Sequence, residues 1–156
     1  MRWANIARVA HQLGLKINPR LVTQLEGDSP SPQLGYVATK KLLASGETFS
    51  ALFAFNDISA MGAIRALRET GLKVPEDVSV VGFDDIQSAA FQNPGLTTVR
   101  QPLREMGRAA AEILLKRINR PGSELHDKHT VEPELVIRET TGGAPAGRRV
   151  TSKQRR

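Results

Sequence analysis

Short runs of apolar and β-branched residues, at 51–55, 78–83 and 96–100, alternate with helical segments in this 156-residue chain. A strand–helix–strand order predicts a parallel sheet covered by crossover helices. The carboxyl ends of parallel strands meet at one edge of the sheet, and ligands bind at that edge in α/β proteins. The order of elements therefore predicts an α/β fold, a parallel sheet flanked by helices, with a binding site at that edge.

The remaining elements follow from apolar periodicity and from stop signals. Residues 51–55 form a continuous apolar run, which is typical of a strand covered on both faces. The helix after Asn56–Asp57 is expected to end at Gly71. Further helices are predicted at 3–13, 33–44 and 103–118, the first of them stopping at Gly14, and further strands at 21–25 and 135–138.

Composition limits the possible classes of protein. Cysteine is absent, which excludes disulfides and thiolate metal sites. No apolar run reaches membrane-spanning length and the amino end is not a signal peptide, so we expect a cytoplasmic protein without membrane contact. The formal net charge of +6 lies mostly in the tail at 142–156, which we expect to be disordered. The tail charges are Arg148, Arg149, Lys153, Arg155 and Arg156.

Polar residues follow the predicted strands at the edge where their carboxyl ends meet: Asn56, Asp57, Asp84, Asp85 and Gln101. Carboxylate and amide groups of this kind suit hydrogen bonding to hydroxyls or amides of a small molecule. Asn56 and Asp57 fit helix capping as well as they fit ligand contact. Asp84 fits ligand contact better, because two successive acids exceed what a cap needs. Asp85 is assigned to capping or to the surface.

An enzymatic alternative would pair Asp57 with Asp84 as acid and base, or join them to a histidine as metal ligands. The three histidines, His11, His126 and His129, are expected far from the acidic edge. No phosphate loop, HExxH or GxSxG sequence is present. We therefore predict a non-enzymatic protein with no catalytic residue, no metal and no cofactor.

Residues 6–25 loosely match a helix-turn-helix, but their turn is too long and contains Pro19. Direct reading of DNA by this segment is therefore not expected.

Three ordered motifs carry a family resemblance: FNDISAMGA at 55–63, LKVPEDVSVVGFDD at 72–85 and LTTVRQP at 96–102. Together they resemble the effector-sensing domain of LacI/GalR transcription regulators, from about residue 2 to residue 141. The resemblance implies a periplasmic-binding-protein-like type I fold and a small effector of the sugar or purine class. It implies effector contacts at Arg2, Asn56, Asp84 and Gln101.

The chain departs from this family in its extent. It is expected to be a partial sensor domain over residues 1–141, comprising the second subdomain and an orphaned returning helix. The resemblance implies that DNA binding belongs to a headpiece absent from this chain. Ser29 and Pro30 also stand where the family often has an effector-stacking aromatic residue. Alternatives are a periplasmic-type sugar-binding protein fragment, a non-functional remnant and a misannotated start of a full-length regulator.

Two association surfaces are expected. The helix at 103–118 would lack its partner subdomain, leaving an apolar patch uncovered. The patch consists of Leu103, Met106, Ala110, Ile113 and Leu114. The resemblance also implies a homodimer through the second subdomain, with Met61 and Phe91 as candidate interface residues. A core-facing Met61 fits equally well.

Overall fold

The computed structural model describes residues 2–27, 31–119 and 130–143. The helices are α1 (Arg2–Gln12), α2 (Pro32–Ala44), α3 (Asp57–Glu69), α4 (Gln87–Ala90) and α5 (Leu103–Asn119), with a 3-10 helix at Pro19–Leu21. The strands are β1 (Ala51–Phe53), β2 (Ser79–Asp84), β3 (Thr97–Arg100) and β4 (Glu134–Val136). The predicted α/β class is confirmed. Residues 144–156, which hold the charges of the predicted tail, lie outside the described ranges.

The described strands form one sheet in the order β1-β2-β3-β4. The first three are parallel, with Phe53 opposite Val81 and Asp84 opposite Arg100. The last strand is antiparallel to β3. The predicted parallel sheet is thus present in three strands. The fourth described strand, β4, lies beside β3 and runs in the opposite direction.

The strand predicted at 21–25 is wrong. None of the four described strands includes these residues. The chain instead makes the 3-10 turn, which Pro19 begins and Asn18 caps by accepting a hydrogen bond from Arg20 N at 3.0 Å. Local turn chemistry at Asn18–Pro19 therefore prevailed over the apolar alternation that follows it.

The run at 51–55 is not covered on both faces, contrary to prediction. Phe53 is 45% exposed and Phe55 59% exposed, whereas Ala54 is buried. In the described sheet β1 is an edge strand, paired only with β2. An apolar run shows that a strand exists, but neighbouring elements decide how many of its faces are covered.

Both predicted glycine stops are confirmed. Gly14 and Gly71 have φ values of +70° and +81°. After α3, Leu72 N donates to Leu67 O at 3.0 Å and Gly71 N donates to Arg68 O at 2.9 Å. This pair of bonds satisfies carbonyls at the helix end and lets the chain turn towards β2.

The core lies between α3 and the sheet. Its fully buried members include Leu67, Val78, Val80 and Leu96. Helix α2 packs against α3, and glycines allow the two backbones to touch. A Cβ on Gly35 would overlap Ser59 O, and one on Gly62 would overlap Pro32 O. This contact fixes the amino-terminal halves of α2 and α3 against each other.

Helix α5 is uncovered, as predicted: none of its residues is buried. The exposed fractions of Leu103, Leu114 and Ile118 are 60%, 59% and 62%. The apolar area extends beyond the predicted residues to Ile118 and to Leu115, which is 58% exposed. The described part of the chain therefore presents a continuous apolar helix surface to solvent.

We expect this surface to make the chain self-associate. Replacing both Leu114 and Ile118 with glutamate should shift the mass measured by light scattering towards that of a monomer and reduce binding of a hydrophobic dye. Asn119→Glu, which adds charge to the same helix without removing an apolar side chain, is the control. A wild-type chain that is monomeric and binds no dye would contradict this expectation.

Candidate functional site

The carboxyl ends of the three parallel strands bring the predicted site residues to one edge of the sheet. Asp84 is the last residue of β2, and Gln101 directly follows β3. Asn56 comes three residues after β1 and directly before α3. The predicted convergence of strand ends is therefore present in the fold.

Asp84 and Gln101 are in direct contact. Gln101 Nε2 donates to Asp84 Oδ1 at 2.6 Å, and both residues are half-buried. Asp84 Oδ2 remains an acceptor, and the amide oxygen of Gln101 is a second one. The pair can therefore accept from two donors of a polar ligand while Gln101 fixes the carboxylate's orientation.

The turn after β2 is strained. Asp84 has φ of 116° and Asp85 has φ of 54°, whereas L-residues rarely adopt positive φ. Asp84 lies well outside the left-handed helical region that aspartate sometimes visits. Such backbone strain persists only where surrounding contacts hold it, and it is concentrated at functional sites.

Asn56 is a helix cap: its Oδ1 accepts from Ser59 N at 2.9 Å. The capping interpretation from the sequence is therefore confirmed. The residue is half-buried, and its side-chain amide group still has donors to offer. Effector contact by Asn56 stays a prediction.

Asp57 fits neither alternative considered from the sequence. The residue is 0% exposed, so its carboxylate cannot reach a ligand at the surface. Its Oδ2 accepts from Ile86 N at 2.9 Å, and its Oδ1 accepts from Thr98 Oγ1 at 2.5 Å. Asp57 thus joins α3 to β3 and to the turn after β2, instead of capping its own helix.

The assignment of Asp85 to capping or to the surface is wrong. Its side chain is 8% exposed and forms ion pairs with two arginines. Arg138 Nη2 donates to Asp85 Oδ1 at 2.6 Å, and Arg100 Nε donates to Asp85 Oδ2 at 2.6 Å. Burial acts to raise the pKa of Asp85, but the hydrogen bonds and charges of Arg138 and Arg100 outweigh it, so the pKa lies below the ordinary value. Arg138 comes from far along the chain, which is why the short-range pattern did not reveal the pairing.

We expect Asp85→Asn to weaken the acid dependence of folding. Because the pKa of Asp85 is lowered in the fold, its stabilising contribution is present above its unfolded pKa of about 3.9 and is lost as pH falls through the folded value. The variant should be about 2 kcal/mol less stable at pH 7, since a paired buried charge is removed. Chemical denaturation between pH 7 and pH 2.5 should show the two stability curves converging at low pH. Parallel curves would contradict the expectation.

The structure leaves several predicted residues untested. Arg2 begins α1, and its side chain lies outside the described part of the chain. Met61 is half-buried, and Phe91, at the end of α4, is 81% exposed. His126 and His129 lie outside the described residues. Interface roles for Met61 and Phe91 stay predictions.

Within the described ranges, no group of three histidine or acidic residues could hold a metal ion. No helix there is both long and apolar enough to cross a bilayer.

Sequence reasoning missed two residues that support this edge. Thr98 is fully buried and donates to Asp57. Arg138 follows β4 and donates to Leu96 O at 2.7 Å as well as to Asp85. A threonine in the middle of the predicted strand at 96–100 was the available signal for Thr98, whereas the place of Arg138 depends on the antiparallel return of the chain.

A parallel sheet with polar side chains gathered at the carboxyl ends of its strands is the arrangement at which α/β domains bind ligands. A family model described as "periplasmic binding protein-like domain" matches residues 4–141. The HTH-type transcriptional repressor PurR of Haemophilus influenzae (strain PittEE) is 41% identical over 141 residues, covering 89% of this chain and 41% of the relative.

Two solved structures are similar in fold and sequence. One is a LacI-family regulator of Sanguibacter keddieii, with a TM-score of 0.81, 36% identity and coverage of 91% of this chain and 52% of that one. The other is the regulator CelR in complex with cellobiose, with a TM-score of 0.77, 34% identity and coverage of 85% and 39%. The chain belongs to the periplasmic-binding-protein-like family, in the form found as the effector-binding domain of LacI/GalR regulators. It spans about two fifths of the length of the curated relatives that it matches.

Proposed function

We propose that this chain is the effector-sensing part of a LacI-type transcription regulator. It binds a small polar molecule through Asn56, Asp84 and Gln101 at the carboxyl edge of the sheet, and Arg2 contributes from the start of α1. Residues 1–141 form the sensor part. In the complete regulator, DNA binding belongs to a separate headpiece and not to these residues.

The contact between Asp84 and Gln101 is the observation that carries this proposal. The 2.6 Å hydrogen bond occupies one carboxylate oxygen of Asp84 and leaves the other available to a ligand. The positive φ of Asp84 supports a functional role, because strain of this kind is otherwise removed by a glycine. A simple helix cap requires neither feature.

A sugar or a purine is the effector class that suits these groups. Hydroxyls of a sugar and ring or exocyclic amino groups of a purine donate hydrogen bonds, and carboxylate and amide oxygens accept them. Solved relatives have bound cellobiose and ribose, and the curated relatives carry the name PurR. We extend both classes to this chain as candidates.

The proposed activity is binding, not catalysis, and it takes place in the cytoplasm. The similar proteins named above are transcription regulators. The lac repressor, another structural relative, was solved as a dimer on its operator. We propose a homodimer for this protein as well, with Met61 and Phe91 in its interface.

A thermal-shift screen tests the proposal. The purified chain is heated with cellobiose, lactose, ribose, sugar phosphates, adenine, guanine and hypoxanthine in turn. A ligand that binds only the folded state raises the melting temperature. We expect at least one compound to do so for the wild type and none for Asp84→Ala.

Glu76→Ala is the matched control, because Glu76 is an acid before β2, at the opposite edge of the sheet. It should respond to the same compound as the wild type. A folded wild type that responds to no compound, or an Asp84→Ala variant that responds as the wild type does, would overturn the proposal.

A further inference from the structure

One buried carboxylate lies between the segments that carry the candidate effector residues. Asp57 directly follows Asn56 at the start of α3. Its Oδ2 accepts from the backbone of Ile86, two residues beyond Asp84 in the strained turn. A single side chain therefore joins the segment of Asn56 to that of Asp84.

The same carboxylate reaches the third segment. Thr98 Oγ1 donates to Asp57 Oδ1 at 2.5 Å from within β3, three residues before Gln101. Thr98 is 0% exposed, so this bond is shielded from competing water. Asp57 is thus linked directly to all three segments, and Ile86 and Thr98 are its partners.

Strand β2 is packed directly on this group. A Cβ added to Gly82 would overlap Asp57 Oδ1. The missing side chain at Gly82 therefore lets β2, which ends at Asp84, approach the carboxylate. A shift of β2 towards Asp57 would therefore displace the carboxylate, and a bulkier group at position 57 would displace β2.

Keeping a carboxylate here is costly for the fold. Burial is the main influence on Asp57 and raises its pKa, because the charged form loses its hydration. The hydrogen bonds from Thr98 and Ile86 oppose this effect. An apolar side chain would fill the same space without that cost, so packing alone does not account for an aspartate.

We propose that Asp57 is a positioning residue for effector binding: by bonding Ile86 and Thr98 it holds Asp84 and Gln101 in the geometry that receives the ligand. The proposal rests on the function proposed above. Asp57 does not touch the effector. It acts by keeping the strained turn after β2 and the end of β3 at a fixed separation.

The first test removes the acceptors while keeping the branching of the side chain at Cγ. In Asp57→Leu the Ile86 amide and the Thr98 hydroxyl lose their partner, whereas in Asp57→Asn the amide oxygen still accepts from Ile86 N and the NH₂ group can donate to Thr98. NMR of the full chain reports on the side-chain amide of Gln101, which donates to Asp84. We expect this signal to shift and to lose protection from exchange in Asp57→Leu, and to stay close to wild type in Asp57→Asn.

The second test measures affinity for the compound that the thermal-shift panel identifies. Since lost positioning weakens hydrogen bonds to the ligand, Asp57→Leu should raise Kd about tenfold or more, and Asp57→Asn by less than about threefold. Thr140→Val is the matched control, because Thr140 is also 0% exposed and its hydroxyl makes two hydrogen bonds away from the edge, accepting from Thr97 N and donating to Val80 O. It should lower stability while leaving Kd and the Gln101 signal near wild type.

Each outcome decides the proposal. A folded Asp57→Leu variant with wild-type Gln101 signals overturns it, as does a Thr140→Val variant that disturbs those signals equally. If Asp57→Leu does not fold, Thr98→Val is measured instead, and a wild-type Gln101 signal in that variant overturns the proposal. If the wild type binds no compound, the proposed function fails, while the NMR comparison still decides whether Asp57 positions Asp84 and Gln101.

Discussion

Asp84→Gly is expected to weaken effector binding strongly while leaving the fold nearly as stable as the wild type. The substitution removes the carboxylate that the ligand would contact, and the loss of a charged hydrogen-bonding group costs about 2–4 kcal/mol of binding, which is a rise in Kd of roughly 30-fold to 1,000-fold. At the same time glycine relieves the strain at φ of 116°. Relief of about 1–3 kcal/mol offsets the lost bond to Gln101 and the added freedom of the unfolded chain.

Comparison with Asp84→Ala tests whether the backbone at position 84 is strained. Alanine removes the same carboxylate but cannot relieve the backbone, so it should be about 1–2 kcal/mol less stable than the glycine variant. This order is the reverse of the usual preference for alanine over glycine. Denaturant melts and titration with the panel compound measure both effects. An alanine variant more stable than the glycine variant would show that position 84 is not strained.

Gly62→Ala is expected to destabilise the domain by about 3 kcal/mol or more, a large part of the stability of a domain of this size. Helix propensity alone would favour alanine by about 1 kcal/mol. In α3, however, the new Cβ would overlap the backbone carbonyl of Pro32 at the start of α2. Backbone atoms in two packed helices cannot move aside as a flexible side chain does, so the helices must separate.

Gly107→Ala is the matched control for this clash. Gly107 lies inside α5, and apart from its chain neighbours and the nearby backbone of α5 no described heavy atom lies within 4 Å of its added Cβ. The control should be neutral or stabilising by up to about 1 kcal/mol, because only helix propensity acts there. Thermal and urea melts of both variants test the contrast, and equal effects at Gly62 and Gly107 would contradict the close approach of α2 and α3.

Local patterns were sufficient where the physical cause is local. The glycine stops at Gly14 and Gly71 and the cap at Asn56 require only a few neighbouring residues, and all three are present in the fold. The gathering of Asp84 and Gln101 at one edge also followed from strand order, because parallel strands end on the same side. The failed strand at 21–25 shows the limit, since its neighbours in the chain contain a stronger turn signal.

The environment of each acid could not be derived in this way. Asp57 and Asp85 both belong to the polar residues that follow the predicted strands, yet their surroundings differ. Asp57 is buried and accepts a hydrogen bond from Thr98, whereas Asp85 is paired with Arg100 and Arg138. Their partners lie 15 to 53 positions away along the chain. The amino-acid sequence by itself determined the class of fold, most of its helices and strands, and the edge that carries the candidate site. Only the tertiary structure decided which of these acids stays accessible at the edge and which are buried or paired with arginines, because burial and charge pairing depend on residues that folding brings together.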